Sequence, residues 1–447
     1  MRPFSPASFR GQVVLALVLC SPVAAQLPDL PTLAGAGVEH ISPGGFFQIS
    51  LSGQLDLEGT HISDEWEPAF APADACTVCH TDIGRAIRQG DGGLRTQRLR
   101  LFADLFLGDH VYSLIELRAD HGGEAYTKGM RGRVEQIYIR LSTASGAAGL
   151  QVGRFASPFG SYPIRHLSTE DPFLRAPLFY EYRTVANRWT VPVDARDFLA
   201  WKRIPEAADL PGSPPVWEVP YQAGAMLFGV VGPVDLRVAL MNSAPSSGPP
   251  QWEFRGRDPD PVSWVVAART QPSASLEIGA SYGRGGWMED PLFGSIQPLP
   301  GSPPGAEPPH WSDFDQEAVA VDIKVARGGT VLRAEAILDR WDVPNVSDRA
   351  TELAYNIEAQ HDLLAGLSVA LRGGFIDFRP LDDGLGAASP LPDGREDWDF
   401  DVFRYEGSVA YRLARNWGIL VNASQTRQSN AVDGDQTLVG ARLWWAF

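Results

Sequence analysis

The feature that most constrains this chain is a repeated segment of about ten residues in which apolar and polar side chains alternate, the pattern of a transmembrane β-strand. A strand sends successive side chains to opposite faces of its sheet. In 98–107, Leu99, Leu101, Ala103, Leu105 and Leu107 share one face, and Arg98, Arg100 and Asp104 the other. In 318–325, Val319, Val321, Ile323 and Val325 oppose Asp322 and Lys324. Leu332, Ala334, Ala336 and Leu338 oppose Arg333, Glu335 and Asp339; Val439, Ala441, Leu443, Trp445 and Phe447 oppose Gly440 and Arg442. Charges behind so many apolar faces imply an apolar outside and a wet inside. Backbone in lipid must satisfy its own hydrogen bonds, so such a sheet has to close.

Strands are expected at 46–59, 95–107, 111–121, 133–142, 150–156, 221–231, 234–243, 263–271, 275–287, 316–327, 330–343, 351–363, 367–379, 400–413, 417–429 and 435–447. The fold class is therefore all-β, an antiparallel transmembrane barrel of about 16 strands. Short links such as Gly232-Pro233 and Gly328-Gly329 alternate with long ones at 60–94, 157–220, 244–262, 288–315 and 380–398. Outer-membrane barrels show this asymmetry, with short periplasmic turns and long extracellular loops. Parity of the links keeps 198–204 inside the 157–220 loop rather than making it a strand. The terminal Leu443-Trp444-Trp445-Ala446-Phe447 ends a strand on aromatics, and Trp444, Trp445 and Phe447 are expected in an interfacial girdle.

The N-terminus reads as a secretory signal over 1–25, with Arg2 and Arg10 before an apolar core at 13–19 and a small-residue site at Val23-Ala24-Ala25. The apolar core is too short to span a bilayer, and no later run is long enough, which excludes a helical membrane protein. A periplasmic segment is expected at 26–45, then the barrel over 46–447. The net charge of -16 argues against nucleic acid as a partner. Lysine occurs only at 128, 202 and 324, so arginine carries nearly all the positive charge.

Parity also assigns the lumen. Arg98, Arg100, Asp104, Glu116, Arg118, Asp120, Arg140, Arg237, Arg333, Glu335 and Arg372 are expected to line the pore, where such residues set selectivity. The 157–220 loop is the expected constriction, with Arg165, Arg175, Arg183 and Arg188 among its cations and Tyr180, Tyr182 and Trp189 among its aromatics. Two readings of these arginines stand: an eyelet that attracts small anions, or a loop fixed by pairs with Glu170, Asp171, Glu181, Asp194 and Asp197.

One motif has nothing to do with strands. Cys76-Thr77-Val78-Cys79-His80 has the C-x-x-C-H spacing of a c-type haem attachment site. Cys76 and Cys79 would form the two thioether links of one covalent haem c, and His80 would ligate the iron. His61, His121 and Met130 are the candidate distal ligands, all on the long-loop side. The competing reading is a Cys76–Cys79 disulfide in an oxidising compartment, with no haem.

Leu150-Gln151-Val152-Gly153-Arg154-Phe155-Ala156-Ser157-Pro158-Phe159-Gly160 resembles the strand-to-loop passage of the phosphate-selective porin O/P family, and Arg95 to Leu101 resembles that family's early arginine-rich strand. The resemblance implies a sixteen-stranded outer-membrane porin, usually a homotrimer. It does not carry phosphate selectivity, which rests on pore lysines. The motif at 76–80 adds a likeness to fused cytochrome–porins, in which the haem segment precedes the barrel; here 46–59 precedes the motif.

The expected function is that of an outer-membrane barrel, not an enzyme. It would pass small anions or solutes, or move electrons between a periplasmic cytochrome and the cell exterior. The alternative is a simple passive porin with the disulfide.

Overall fold

The computed structural model describes residues 37–63, 93–120, 131–203, 212–252, 262–298, 303–386, 389, 391–429 and 435–447. The sixteen barrel strands are β1 (Phe47–Ser63), β2 (Gly93–Leu107), β3 (Val111–Asp120), β4 (Arg131–Ser142), β5 (Ala148–Ala156), β6 (Tyr221–Val231), β7 (Val234–Met241) and β8 (Ser263–Ser273), then β9 (Leu276–Gly286), β10 (Asp315–Arg327), β11 (Thr330–Trp341), β12 (Ala350–Leu364), β13 (Leu367–Phe378), β14 (Val402–Ala414), β15 (Trp417–Gln428) and β16 (Asp435–Ala446). Each pairs antiparallel with its neighbours in sequence, and β16 returns to β1 from Thr437↔Ser63 to Ala446↔Gln54. All sixteen expected strands are present. Residues 198–203 of the 198–204 segment are helical, in keeping with its exclusion from the strands, and 204 lies outside the described residues.

Closure involves both termini. Gly53 and Phe447 exchange their backbone hydrogen bonds at 2.7 and 2.9 Å. Beyond that point β16 has ended, and a short strand, Val38–Ile41, takes over the free edge of β1 through Val38↔Leu51 to Ile41↔Gln48. That strand lies within 26–45, the expected periplasmic segment.

The links divide as the sequence requires. Five turns have two residues each: 232–233, 274–275, 328–329, 365–366 and 415–416. Gly328 and Gly329 both take positive φ, 58° and 78°, which suits the twist of a tight hairpin. The long links all leave the opposite rim.

The outer face is apolar around the barrel: Leu101, Ile139, Val152, Leu227, Val321, Ile357, Leu371, Val409 and Val421 are all exposed there. Trp417 stacks on Trp445 at 5.4 Å, and Trp445 packs at a tilt against Phe447 at 4.6 Å, forming an aromatic girdle at the turn rim. Towards the loop rim, Tyr355 meets Phe375 and Trp264 meets Tyr282. A closed sheet with this exterior belongs in lipid. Trp444 departs from the sequence expectation: it sits at an inward position, nearly buried in the lumen, so it is not part of the girdle. His61 also departs. It lies within β1 opposite Val439, on the exposed outer face, rather than at the start of a loop.

Leu371→Arg, near the middle of the outer face of β13, is expected to lower the folding free energy in lipid vesicles by about 2–4 kcal/mol in a denaturant titration. The same substitution at rim residue Leu413 should cost about 0–1 kcal/mol.

Candidate functional site

The lumen begins with the wall. On β1–β4 the inward positions carry both signs, and Arg98, Arg100, Arg118 and Arg133 each reach a carboxylate on their own or a neighbouring strand. Arg98 lies 3.7 Å from Asp56, 3.8 Å from Glu58 and 3.9 Å from Asp120. Arg100 pairs with Glu116 at 3.0 Å, and Arg118 with Asp120 at 2.6 Å. Arg133 bridges Asp120 at 3.1 Å and Glu135 at 2.5 Å. Asp104 accepts from the Tyr112 hydroxyl at 2.6 Å, and Arg140 donates to Gln151 at 2.8 Å. Arg237 pairs with Asp235 at 2.9 Å near the turn rim.

Glu135 was not reachable by alternation. The register between β3 and β4 shifts after Glu116↔Gln136, so Glu135 and Gln136 are consecutive and both buried inside. A bulge of this kind inverts the parity on one side of it relative to the other, which is why Arg133 faces inward as Arg140 does. Asp56, Glu58, Glu358, Arg404 and Glu406 join the wall too. The two-residue period of their own strands was the signal that reaches them.

The second half of the site is the segment after β5, which folds into the barrel. Its entry explains the Pro158-Phe159-Gly160 passage. Gly160 has φ 75°, and a Cβ there would lie 2.1 Å from the Tyr180 hydroxyl. The turn it makes aims Ser161 and Tyr180 at one wall carboxylate. Glu335 on β11 accepts from the Ser161 N–H at 2.7 Å, the Ser161 hydroxyl at 2.9 Å and the Tyr180 hydroxyl at 3.0 Å.

Across the lumen, three wall arginines hold the loop backbone. Arg372 on β13 donates to the carbonyls of Arg175 at 2.5 Å and Ala176 at 3.2 Å, while its Nε donates to Glu406 at 2.8 Å. Arg404 on β14 also donates to the Ala176 carbonyl. Arg442 on β16 donates to the carbonyls of Phe173 at 3.1 Å and Leu174 at 3.3 Å. This stretch of backbone has no strand partner, and the guanidinium forks supply the donors it lacks. The short helix α1 (Leu178–Glu181) follows directly, and Glu181 pairs with both Arg175 and Arg404.

Further along, helix α2 (Ala195–Ala200) is capped by the Asp194 carboxylate, which accepts from the Asp197 N–H at 2.9 Å. Phe198 stacks on Trp398 at 5.8 Å. Asp399 accepts from the Val185 N–H at 3.0 Å, and burial raises its carboxyl to about 7.

The four expected loop cations are all engaged. Arg165 pairs with Glu358 on β12 at 3.1 Å. Arg175 holds Glu181. Arg188 pairs with Glu289 at 3.3 Å and lies 4.0 Å over Trp189. Arg183 donates to the Gly212 carbonyl at 3.1 Å and lies over Trp217; burial and neighbouring Arg188 lower it to about 9. Among the wall residues, Arg333 also reaches Glu358, at 2.7 Å. His166 closes the contact with β2. Its Nδ1 lies 2.7 Å from the Pro163 carbonyl, so that nitrogen carries the hydrogen, and Nε2 accepts from Arg100 at 2.9 Å. Burial and Arg100 hold its pKa well below the usual value, so the imidazole is neutral.

Cys76, Cys79, His80, His121 and Met130 lie outside the described residues, so of the haem set only His61 is placed, on the outer face of β1.

These features define a class: a closed sixteen-stranded membrane barrel with a charged inner wall and a long loop fastened inside it. The sequence matches no family model and no curated protein. Solved structures do share the fold. OprB of Pseudomonas putida is 12% identical over 90% of this chain and 94% of its own, with a TM-score of 0.52. The anion-selective porin from Comamonas acidovorans is 12% identical over 90% and 100%, at 0.51. OmpT of Vibrio cholerae, an outer membrane protein in its trimer form, is 9% identical over 90% and 99%, at 0.50. The likeness is one of fold.

Arg372→Met should cost about 3–5 kcal/mol by taking a buried charge from Glu406, which keeps only Arg404, and the donor from the Arg175 carbonyl. Limited trypsin digestion should then cut within 173–188 while the barrel persists. Asp399 supplies a pH test. Its folded pKa of about 7 lies above the ordinary 3.8, so the folded state holds the extra proton. The stability is full below pH 4 and falls as pH rises to about 7. Chemical unfolding of Asp399→Asn should lack that decline.

Proposed function

We propose that this protein is an outer-membrane channel for small solutes, anions among them, whose bore is set by the 157–220 loop. The observation that carries the reading is the clamp between loop and wall: Glu335 on one side, and Arg372, Arg404 and Arg442 on the other. A loop held inside a barrel limits what can pass without needing to move. Arg165, Arg175 and Arg188 are matched with carboxylates, which supports weak charge selection rather than a strongly anion-attracting eyelet. The common fold with OmpT and with an anion-selective porin supports the outer-membrane setting and a homotrimer.

We further propose that the link between β1 and β2 carries one covalent haem c on Cys76 and Cys79, with His80 on the iron. The donor set supports this: two thiols and an imidazole at the spacing a porphyrin requires. Twelve residues separate the motif from each strand end, a reach of at most about 40 Å. When bound, the group supplies one-electron redox chemistry, available to a periplasmic cytochrome or to an acceptor outside the cell.

Two experiments test these readings. In a planar bilayer the protein should give stepwise conductance with a reversal potential close to zero in a salt gradient; absence of steps would contradict the channel. Protein made in a strain that matures c-type cytochromes should carry haem through denaturing electrophoresis. Cys76→Ala with Cys79→Ala should lose it and keep the conductance. A haem-free band with a Cys76–Cys79 disulfide would establish the simple porin instead.

A further inference from the structure

Beneath the loop, on the side of the short turns, lies a cavity of about 390 Å³ that the clamp does not use. Its walls come from β12 to β16, and its roof from loop residues 168–172. Trp444 lines it and lies against Gly418, where a built Cβ would meet the indole at 2.4 Å. Glycine at 418 is therefore what lets the ring lie flat against the wall. Around the indole stand Gln360, Asp362, Ser368 and Arg412, with Glu170 above. The side chains of these five form no hydrogen bond or ion pair among the described residues.

A second observation comes from the next inward positions on the same strands. Ser408 and Asn422 face each other across β14 and β15, and Ser424 faces Glu406. All three are at least nine-tenths buried, yet Ser408 Oγ, Asn422 Oδ1 and Ser424 Oγ have no hydrogen-bond partner among the described residues. Buried polar atoms are normally satisfied, so a file of three implies that water or solute reaches this wall. The file continues the cavity towards the loop.

The chemistry of the set selects the ligand. Glu170 and Asp362 disfavour an anion, and Arg412 disfavours a cation. Hydroxyls, an amide, carboxylates and a guanidinium together can each donate to or accept from a neutral polyol. The flat indole covers the apolar C–H face of a sugar ring. We propose that this cavity is a binding site for neutral sugars entering from the turn side, so that sugars belong to the solutes the channel admits. The inference rests on the channel reading and assigns a substrate class to it.

The test uses the full-length protein. Maltose should bind the detergent-solubilised barrel in calorimetric titration. Trp444→Ala and Gly418→Val should weaken binding at least ten-fold, and Trp444→Phe should keep it within a few-fold. In a planar bilayer, maltose on the turn side should reduce the ion current of the wild type and not of Trp444→Ala. A conducting barrel that neither binds maltose nor is blocked by it overturns the proposal. So does binding of choline or inorganic phosphate at the same site in place of maltose. A barrel that fails to conduct contradicts the channel reading, while the titration still decides the sugar site.

Discussion

A backbone placed in lipid has to bond with itself, and one placed in a barrel lumen has to find donors on the wall. The first requirement closes the sheet, with β16 returning to β1 and Phe447 meeting Gly53. The second governs the interior. Carbonyls 173–176 have no strand to pair with, and Arg372, Arg404 and Arg442 provide the bonds instead. Everything else in the lumen follows from that substitution of side-chain for backbone donors.

It also accounts for the composition. A lysine is a point charge, whereas a guanidinium is a fork that can bond a carbonyl and a carboxylate at once. Arg372 does this between Ala176 and Glu406, and Arg404 between Ala176 and Glu181. Buried ion pairs add little net stability, but breaking one is costly. They act here to fix one loop position rather than to raise the total.

Much of the barrel was legible in the sequence because one physical rule, the two-residue period, governs both the strands and their faces. Arg100, Glu116, Arg118 and Glu335 follow from it directly. The rule fails where the backbone departs from it, so Glu135 was lost at a bulge. It was also overridden by other arguments: parity places Trp444 with Arg442 inside, and the expectation of a terminal aromatic girdle moved it outside. The clamp itself was not legible. Whether Arg165 pairs with Asp171 or with Glu358 depends on how the loop after β5 reaches β12 across the lumen, and no local pattern encodes that. The same holds for the sugar cavity, which joins a loop roof to walls nearly two hundred residues further on.

The central claim is that the loop after β5 is a fixed part of the interior. Hydrogen–deuterium exchange in lipid nanodiscs measures this directly. Amides of 173–188 should exchange as slowly as those of β11–β14, because Tyr180, Tyr182, Thr184 and Val185 donate to buried acceptors. Exchange of that stretch at the rate of unprotected amides would contradict the account.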